Sequence, residues 1–215
     1  MSAQSHSIDE ITCQAVGKRY LFEWVIKDFN FTFLKGNCYG IKGPNGSGKS
    51  TLLKMLSGHS TPSKGLIDFK ANNSTVHVSE VYKSVTFTAP YIEVIEEMTV
   101  RELLEFHHGL RPLESLSDAE TVLIALPFKG LMDKRIGELS SGMKQRIKLL
   151  LTIMTRTSII LLDEPGSNLD EAGKIWFEEL LRNHMKDKIV IIASNEADDL
   201  RLAAEILSME NYKKI

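Results

Sequence analysis

Hydrophobic and polar residues alternate along the first ninety residues, and this pattern predicts strands. The alternation runs through residues 11–20, 24–34 and 37–43, and shorter strand patterns follow at 66–70 and 84–89. Because side chains of a strand point alternately to the two faces of a sheet, such alternation is typical of strands with one buried face. Between these strands, a glycine-rich loop opens a helix that ends at Gly58, the residue type favoured just past a helix C-terminus.

From about residue 91 the hydrophobic spacing changes to that of helices. The segments TVRE (99–102) and SDAE (117–120) each have the spacing of a capping box, in which a serine or threonine and a glutamate three residues later satisfy the first backbone N–H groups of a helix. Ser140 and Ser141 open a third helix that continues to about Met154. Residues 91–155 are therefore predicted to form a helical block.

Two apolar runs in the last third have a different pattern. Residues 158–162 and 188–193 are almost continuously hydrophobic, which is typical of strands buried on both faces of a parallel sheet. A helix at 171–186 separates them, and a short strand at 205–209 closes the chain. The prediction is one α/β domain over 1–215, with a core of residues 1–90 and 156–215 and a helical subdomain at 91–155.

Composition narrows the function classes. The chain has 215 residues, with 26 basic and 28 acidic side chains and a net charge of −2, so it has neither the basic excess nor a basic run typical of nucleic-acid-binding proteins. No run approaches the roughly 18–20 apolar residues that span a membrane. The start, MSAQSHSIDE, has no apolar signal core, so secretion is not expected.

The cysteines and histidines show no metal-ligand spacing. Cys13 and Cys38 are far apart in sequence, and reduced cytosolic thiols are the expectation for them. His107 and His108 are adjacent, so on a helix they point about 100° apart and make a poor pair of ligands. We interpret both as surface residues.

A phosphate-binding loop is the strongest motif. The segment GPNGSGKST fits G-x-x-x-x-G-K-[ST], with a strand before it and a helix after it. Glycines let backbone N–H groups turn towards phosphate oxygens, and the helix N-terminus adds positive potential. Lys49 can reach the β- and γ-phosphates, and the Ser50 hydroxyl can bind Mg²⁺. The predicted nucleotide-binding residues are Gly43, Pro44, Asn45, Gly46, Ser47, Gly48, Lys49, Ser50 and Thr51.

An acidic pair follows a buried strand. Residues 159–162 are apolar, and Asp163 and Glu164 stand at the tip. Asp163 can hold the Mg²⁺ ion through a water, as the second protein oxygen beside Ser50. Glu164 points elsewhere and is the candidate to orient or deprotonate an attacking water. The sequence thus predicts Ser50 and Asp163 at the metal and Glu164 as the catalytic base.

The run IVIIASNE (189–196) poses a similar question at the next strand end. In open α/β sheets, ligands bind at the carboxyl ends of the strands, so Asn195 is a candidate site residue. Its side chain could instead cap the following helix by accepting from a backbone N–H. A carbonyl can cap while the amide donates, so the two roles are compatible.

A third motif carries a family resemblance. LSSGMKQR (139–146) begins 24 residues before Asp163 and resembles the LSGGQ-x-QR signature of ABC ATPases. The segment SNLD (167–170) resembles their D-loop, and Tyr20 stands where the family places the aromatic residue that stacks on adenine, although Phe22 or Trp24 could do so instead. The motifs occur in family order and cover nearly the whole chain. The resemblance implies a P-loop NTPase core with an N-terminal antiparallel β subdomain and an inserted α-helical subdomain.

The resemblance also implies a mechanism. Two nucleotide-binding domains, identical or paired, would sandwich ATP between the phosphate loop of one and the signature of the other. The donors would lie near the start of the signature helix. Such a subunit would power a separate transmembrane permease from the cytoplasmic face of the cell membrane. The implied residues are Leu139, Ser140, Ser141, Gly142 and Met143 of the signature, acting in trans, and Ser167, Asn168, Leu169 and Asp170 of the D-loop.

This sequence departs from the family pattern at three places. Ser141 and Met143 replace a glycine and a glutamine of the signature. Pro90 stands where the family has a glutamine that binds Mg²⁺ and senses the permease, so Glu93 or a water replaces it, or the metal shell is thinner. Asn195 replaces a histidine that contacts the γ-phosphate, and its amide can still donate to a phosphate oxygen.

We expect an ATP-hydrolysing subunit of an ABC transporter. The alternative is a nucleotide-gated clamp with little turnover that regulates a membrane complex, which the replacements at Pro90 and Asn195 favour. A soluble family member of translation or DNA repair would usually carry two such domains, a coiled coil or zinc-binding cysteines, and this sequence shows none. Substrate specificity would reside in the permease. The short segment after the last strand predicts no appended domain and resembles export-type subunits.

Overall fold

The computed structural model describes residues 7–212, and nine strands lie in that range. Residues 1–6 and 213–215 lie outside the described residues. The first of these segments contains most of the N-terminal stretch for which the sequence predicts no signal peptide. The strands are β1 Glu10–Tyr20, β2 Glu23–Leu34, β3 Cys38–Lys42, β4 Lys64–Ala71, β5 Ser74–Val76, β6 Val85–Thr88, β7 Ile159–Asp163, β8 Ile189–Ser194 and β9 Glu205–Ser208.

Six α-helices lie in the same range, together with short 3-10 turns. The helices are α1 Lys49–Leu56, α2 Val78–Val81, α3 Val100–Leu110, α4 Leu116–Ile124, α5 Ser141–Met154 and α6 Glu171–His184. The 3-10 turns lie at Tyr82–Ser84, Leu131–Asp133, Ile136–Glu138, Asp198–Leu200 and Met209–Tyr212. Between residues 91 and 155 the regular elements are all helical.

The strands form two sheets with different pairing. The first is antiparallel, in the order β2-β1-β4-β5, and contains most of the N-terminal strands. The second is parallel, in the order β6-β7-β8-β3-β9. An antiparallel sheet beside a parallel one, with helices between the strands of the latter, confirms the predicted α/β class.

The parallel sheet is buried on both faces because two hydrophobic clusters cover it. In β7, Ile159 and Leu161 pack into the cluster shared with the antiparallel sheet and α1, whereas Ile160 and Leu162 pack into the cluster shared with α3 to α6. The side chains of β8 alternate in the same way. This double burial explains the continuous apolar runs of these strands. Truncating Ile160 to Ala would cost about 2–5 kcal/mol of stability.

Most predicted elements match the structure in type and place. The exceptions are β5 and α2, which have three and four residues and carry too little periodicity to predict. Gly58 lies just past α1 with φ +78°, and its N–H donates to the carbonyl of Met55 over 3.1 Å, as expected for a helix-terminating glycine.

The predicted cap of α4 was wrong by two residues. Ser115, not Ser117, caps this helix, because the Ser115 hydroxyl oxygen accepts from the N–H of Asp118 over 3.2 Å. Ser117 lies in the first turn, where its carbonyl accepts from the Thr121 hydroxyl. The earlier start lets Leu116 pack against the helical cluster, a tertiary contact that the local spacing does not reveal.

The interpretation of the two adjacent histidines as surface residues was also wrong. Both are half-buried at the end of α3. Nε2 of His107 lies 2.8 Å from the hydroxyl oxygen of Thr155, just past α5, and Nδ1 of His108 accepts from the N–H of Leu113 over 3.2 Å. They join α3 to the elements beside it.

Candidate functional site

Parallel pairing brings four loops to one edge of the second sheet. Lys42 at the end of β3 pairs with Ser194, Asp163 at the end of β7 pairs with Ala193, and Thr88 at the end of β6 pairs with Leu162. The carboxyl ends of these strands therefore lie level with one another. The loops that follow them carry the phosphate-loop motif, the acidic pair and the Ser194-Asn195 segment, as expected for a ligand site of this sheet type.

The phosphate loop leaves the first turn of α1 without a side-chain cap. Gly48 occupies the N-cap position with φ +101°, a conformation that favours glycine. As a glycine, it offers no side chain to accept hydrogen bonds from the N–H groups of this turn. Those N–H groups and the positive end of the helix are therefore available to an anion.

A cavity of about 390 Å³ opens at this loop. Eight of the nine predicted phosphate-loop residues line it, all except Gly43, and both acidic residues reach it. The lining residues are Val25, Pro44, Asn45, Gly46, Ser47, Gly48, Lys49, Ser50, Thr51, Pro90, Tyr91, Asp163 and Glu164.

Lys49 is buried in this cavity, with 5% of its side chain exposed. Its ammonium group donates to the carbonyl of Gly43 over 2.8 Å and lies 3.1 Å from Oε1 of Glu164. A buried ammonium needs such partners, and the Glu164 carboxylate provides the charge that balances it. A phosphate group entering the cavity offers the same negative charge.

Two buried side-chain atoms around this cavity have no hydrogen-bond partner, and they are the only such atoms in residues 7–212. They are Oγ of Ser47 and Oδ1 of Asp163. Burial raises the pKa of Asp163; the Ser50 hydroxyl opposes this shift, and the charge of Glu164 adds to it. Unpaired buried oxygens are costly. A hydrated Mg²⁺ ion with a phosphate would satisfy both the charge and the free oxygen, so the residues fit this cofactor.

Glu164 has an unusual backbone. Its φ is +47°, and its N–H donates to the carbonyl of Ala193 over 2.7 Å. A glutamate in this region of backbone space is strained, and such strain persists where the surroundings impose it. Oε2 of Glu164 also accepts from the hydroxyl of Ser194 over 3.0 Å. The side chain is thereby aimed into the cavity.

Ser194, not Asn195, caps the turn after β8. The Ser194 hydroxyl oxygen accepts from the N–H of Glu196 over 3.0 Å, so the capping interpretation of Asn195 was wrong. Asn195 is exposed, its side chain makes no hydrogen bond among the residues described, and it is not among the residues lining the cavity. Its role as a γ-phosphate sensor stays a prediction.

The predicted adenine-stacking residue lies away from this cavity. Tyr20 is 49% exposed, and Leu21 and Phe22 form an almost fully exposed turn after it. The side chain that lines the cavity from this sheet is Val25. The Trp24 ring lies 5.6 Å from the guanidinium carbon of Arg19. Stacking by Tyr20, Phe22 or Trp24 stays a prediction.

The loop after β6 brings an aromatic residue that the sequence reasoning missed. Pro90 lines the cavity, and Tyr91 beside it does the same. The ammonium of Lys54 on α1 lies 4.7 Å from the Tyr91 ring centroid, a cation–π contact. Glu93 lines a separate apolar groove with Lys148. The sequence could have indicated Tyr91, because it directly follows Pro90 in the loop where the family has its glutamine.

The signature segment starts α5 on an exposed surface. Ser140 is the N-cap, and its hydroxyl oxygen accepts from the N–H of Met143 over 3.3 Å. Ser140 and Ser141 are exposed, whereas Met143 is buried in the helical cluster. Met143 thus replaces the family's glutamine with a core side chain. None of the signature residues lines the phosphate cavity.

The signature helix is tied to the D-loop by direct contacts. Nε2 of Gln145 donates to the carbonyl of Pro165 over 2.8 Å, and Nη2 of Arg146 donates to Oδ1 of Asp170 over 2.8 Å. Asp170 in turn caps α6. A Cβ on Gly142 would lie 2.8 Å from the carbonyl oxygen of Asn168, so this position requires a glycine. The D-loop and signature therefore form one connected surface.

The described residues also bear on metal clusters, membrane-spanning helices and reactive thiols. Residues 7–212 contain no group of three or more histidine, cysteine, aspartate or glutamate side chains placed to hold a metal, and no helix long and apolar enough to cross a membrane. Cys13 and Cys38 are free thiols, and burial raises the pKa of each to about 12, so neither is a reactive thiolate.

Comparison with known proteins gives one consistent family. The family model described as ABC transporter matches residues 26–167, which include the phosphate loop, the signature and the acidic pair. The Nod factor export ATP-binding protein I of Burkholderia thailandensis is 30% identical over 214 residues, covering 97% of this chain and 70% of that protein. Its counterpart in Rhizobium johnstonii is 30% identical over 224 residues and is covered to 71%.

Solved structures agree at the level of the fold. A putative ABC transporter ATP-binding protein from Pyrococcus furiosus has a TM-score of 0.81 and 27% identity, covering 95% of this chain and all of that one. A dimeric bacterial ABC transporter cassette has a TM-score of 0.76 and 21% identity, with 93% and 94% covered. The family match over residues 26–167 and the shared fold agree with the phosphate loop, the acidic pair and the signature segment described above. The chain therefore belongs to the ABC transporter family and is one of its ATP-binding subunits.

Proposed function

We propose that this chain binds and hydrolyses ATP to power a separate transmembrane permease of the export type. The observation that carries the proposal is the state of the cavity, where Lys49 is held against Glu164 while Ser47 and Asp163 keep unpaired buried oxygens. These groups match the charge and hydrogen-bonding needs of a magnesium-bound triphosphate.

Phosphate binding would rearrange the contacts of Lys49. A phosphate competes with Glu164 for the ammonium group, because both are anions and the phosphate also receives the N–H groups at the start of α1. Oε1 of Glu164 is then free to face water. Mg²⁺, held by Ser50 and Asp163, would supply charge neutralisation at the phosphate oxygens.

Glu164 would act as the base for hydrolysis. It orients a water and takes its proton as the water oxygen attacks the γ-phosphorus; the bond from that phosphorus to the bridging oxygen breaks, and ADP leaves. The backbone of Glu164, held by Ala193, and its Oε2, held by Ser194, keep the side chain aimed at this position. Asn195 would donate to a γ-phosphate oxygen.

A second copy or a paired subunit would complete the site. The signature and D-loop form an exposed surface that does not reach this chain's own cavity, which favours a head-to-tail pair with ATP between them. The exposed Ser140 and Ser141 and the N–H of Gly142 would face the partner's ATP. Hydrolysis removes the shared phosphate and releases the pair.

The permease and the export direction rest on the relatives. The Burkholderia and Rhizobium proteins are named as export ATP-binding proteins, and this chain spans about 70% of their length. We infer a similar role on the cytoplasmic face of the cell membrane. A nucleotide-gated clamp with little turnover is the second candidate. It is favoured by Pro90, which lines the cavity where the family has a glutamine but offers no polar side chain.

Steady-state hydrolysis of Mg-ATP, measured with Glu164→Gln and the exposed-face control Glu179→Gln, tests the proposal. We expect turnover in the unmutated protein and in Glu179→Gln, and a loss of at least about 100-fold in Glu164→Gln. We also expect Glu164→Gln to keep ATP binding and to form a stable ATP-dependent dimer. Absence of turnover in the unmutated protein, with ATP-dependent dimerisation intact, would instead establish the clamp.

A further inference from the structure

The hydroxyl of Ser194 lies between two carboxyl groups. Its oxygen is 3.0 Å from Oε2 of Glu164 and 2.6 Å from Oδ2 of Asp199, and it also accepts from the N–H of Glu196 over 3.0 Å. Ser194 is fully buried and Asp199 is 5% exposed. These contacts form a chain from a buried aspartate to the proposed catalytic base.

The number of hydrogens on the Ser194 hydroxyl decides which group donates in each of these hydrogen bonds. A serine hydroxyl has one hydrogen and two acceptor positions. The hydrogen can serve only one carboxyl group, so two ionised carboxylates would leave one contact with oxygen lone pairs facing each other. If Asp199 is neutral, it donates to Ser194, Ser194 donates to Glu164, and Glu196 fills the second acceptor position. Every position around the hydroxyl is then satisfied.

Asp199 also holds the loop that follows Glu164. Its carboxyl group accepts from the backbone N–H of Gly166, two residues after the base. A Cβ on Gly166 would lie 2.1 Å from Oδ1 of Asp199, so any larger residue at this position would displace the Asp199 carboxyl group. One carboxyl group therefore contacts the proposed base through Ser194 and its loop directly.

The surroundings favour the neutral form. Burial raises the pKa of Asp199, the Ser194 and Gly166 hydrogen bonds oppose this shift, and the nearby Glu164 charge adds to it. The charged groups in the two clefts beside Asp199 are Glu164, Glu178, Glu196, Asp198, Lys174 and Arg201. Both cations have other carboxylate partners, and Arg201 contacts Asp198 at 2.7 Å and Glu178 at 4.0 Å. Lys174 divides its charge, since its ammonium contacts Glu171 at 3.3 Å and Asp198 at 3.5 Å.

We propose that Asp199, as a neutral donor acting through Ser194, is a positioning residue for ATP hydrolysis. It fixes Oε2 of Glu164 and leaves Oε1 to face the attacking water. The inference rests on the proposed function, because it assigns the hydrogen-bond support of the base in that reaction. Asp199 itself does not line the phosphate cavity.

The test compares Asp199→Asn, Asp199→Ala and Ser194→Ala in the full chain, with Asp187→Asn, an exposed aspartate before β8, as the matched control. An asparagine amide can donate to Ser194 as a neutral carboxyl does, so we expect Asp199→Asn to keep turnover within about twofold. Asp199→Ala and Ser194→Ala remove the donor chain, and we expect kcat to fall about 10–100-fold with KM for ATP unchanged. Asp187→Asn is expected to match the unmutated protein.

Several outcomes would overturn the positioning role. If Asp199→Asn loses as much kcat as Asp199→Ala, an ionised carboxylate is required and the neutral donor is wrong. If both alanine variants keep full kcat, the chain does not position the base. A parallel rise in KM and loss of thermal stability, without rescue by asparagine, would indicate a merely structural role. An unmutated protein that binds ATP without hydrolysing it would overturn the proposed function and this role together. Failure of the positioning role alone would leave the unmutated protein active and would show only in the variants.

Discussion

The helices α1 and α5 differ at their N-termini, because α5 has a side-chain cap and α1 has none. The N-cap of α1 is Gly48, which has no side chain to accept from the N–H groups of the first turn. The N-cap of α5 is Ser140, whose hydroxyl already accepts from Met143. Both helices carry positive potential at this end, but only α1 starts inside a cavity with a buried lysine.

The contrast has a physical consequence for anion binding. At α1, Lys49, the uncapped turn and the unpaired oxygens of Ser47 and Asp163 make binding by one chain favourable. At α5, the nearby cation Lys144 is paired with Glu96, and Ser140 and Ser141 are exposed to water. Such a surface gains little from a free phosphate, but it can add donors to a phosphate that another chain already holds.

Removal of the Lys49 charge is expected to have the largest effect on this comparison. Lys49→Ala should weaken ATP binding at least about 30-fold, because a buried charge-assisted contact contributes roughly 2 kcal/mol or more. Calorimetric titration with Mg-ATP measures the change. Lys64→Ala, on the exposed face of β4, is the control and should bind normally. Unchanged affinity in Lys49→Ala would mean that the α1 site is not the nucleotide site.

A bulky cation at the signature should separate binding from turnover. Ser141→Arg places a large side chain on an exposed position, so the fold and ATP affinity are expected to stay within about twofold of the unmutated protein. Turnover should fall at least about tenfold if this surface must close on a second chain. Hydrolysis rates of the unmutated protein and of Ser141→Arg measure the loss of turnover. ATP-dependent dimerisation of Glu164→Gln, with and without Ser141→Arg, measures the pairing of the two chains. A variant with full turnover would show that the signature does not complete the site.

Acid should loosen the far end of the signature helix, with the smallest effect. Burial, with Arg111 and His108 nearby, lowers the pKa of His107 from 6.5 to about 4, and this ring lies against Thr155 at the end of α5. A lowered folded pKa stabilises the protein above pH 6.5, and that stability is lost as pH falls from about 6.5 to about 4. The loss should be about 1 kcal/mol or less, since the ring is partly exposed.

Denaturant unfolding at pH 7 and pH 4.5 measures this loss. His107→Gln removes the titrating group, so its stability should change less between the two pH values than that of the unmutated protein. Equal changes in the two proteins would show that His107 does not contribute. ATP affinity at pH 7 should be the same in both, because His107 lies on the helical side and outside the phosphate cavity.

Sequence reasoning succeeded where one short segment contained both the pattern and its chemistry. The apolar runs of β7 and β8 predicted a parallel sheet because double burial removes the alternation of side chains. The phosphate loop and the acidic pair predicted a shared nucleotide and Mg²⁺ site, and Lys49, Asp163 and Glu164 line one cavity in the structure. Tyr20, by contrast, was placed from the order of motifs alone, and it does not line that cavity.

The sequence by itself determined the α/β class, the phosphate loop, the acidic strand end and the start of α5 at Ser140 and Ser141, because each follows from patterns within short segments. Only the tertiary structure decided that Ser194, not Asn195, caps the turn, that Met143 is a core residue and that Tyr91 lines the cavity. It also places the carboxyl group of Asp199 next to Gly166 and within hydrogen-bond distance of the Ser194 hydroxyl. These contacts join segments that are distant in sequence, and their geometry follows from how the sheet and helices pack rather than from local spacing.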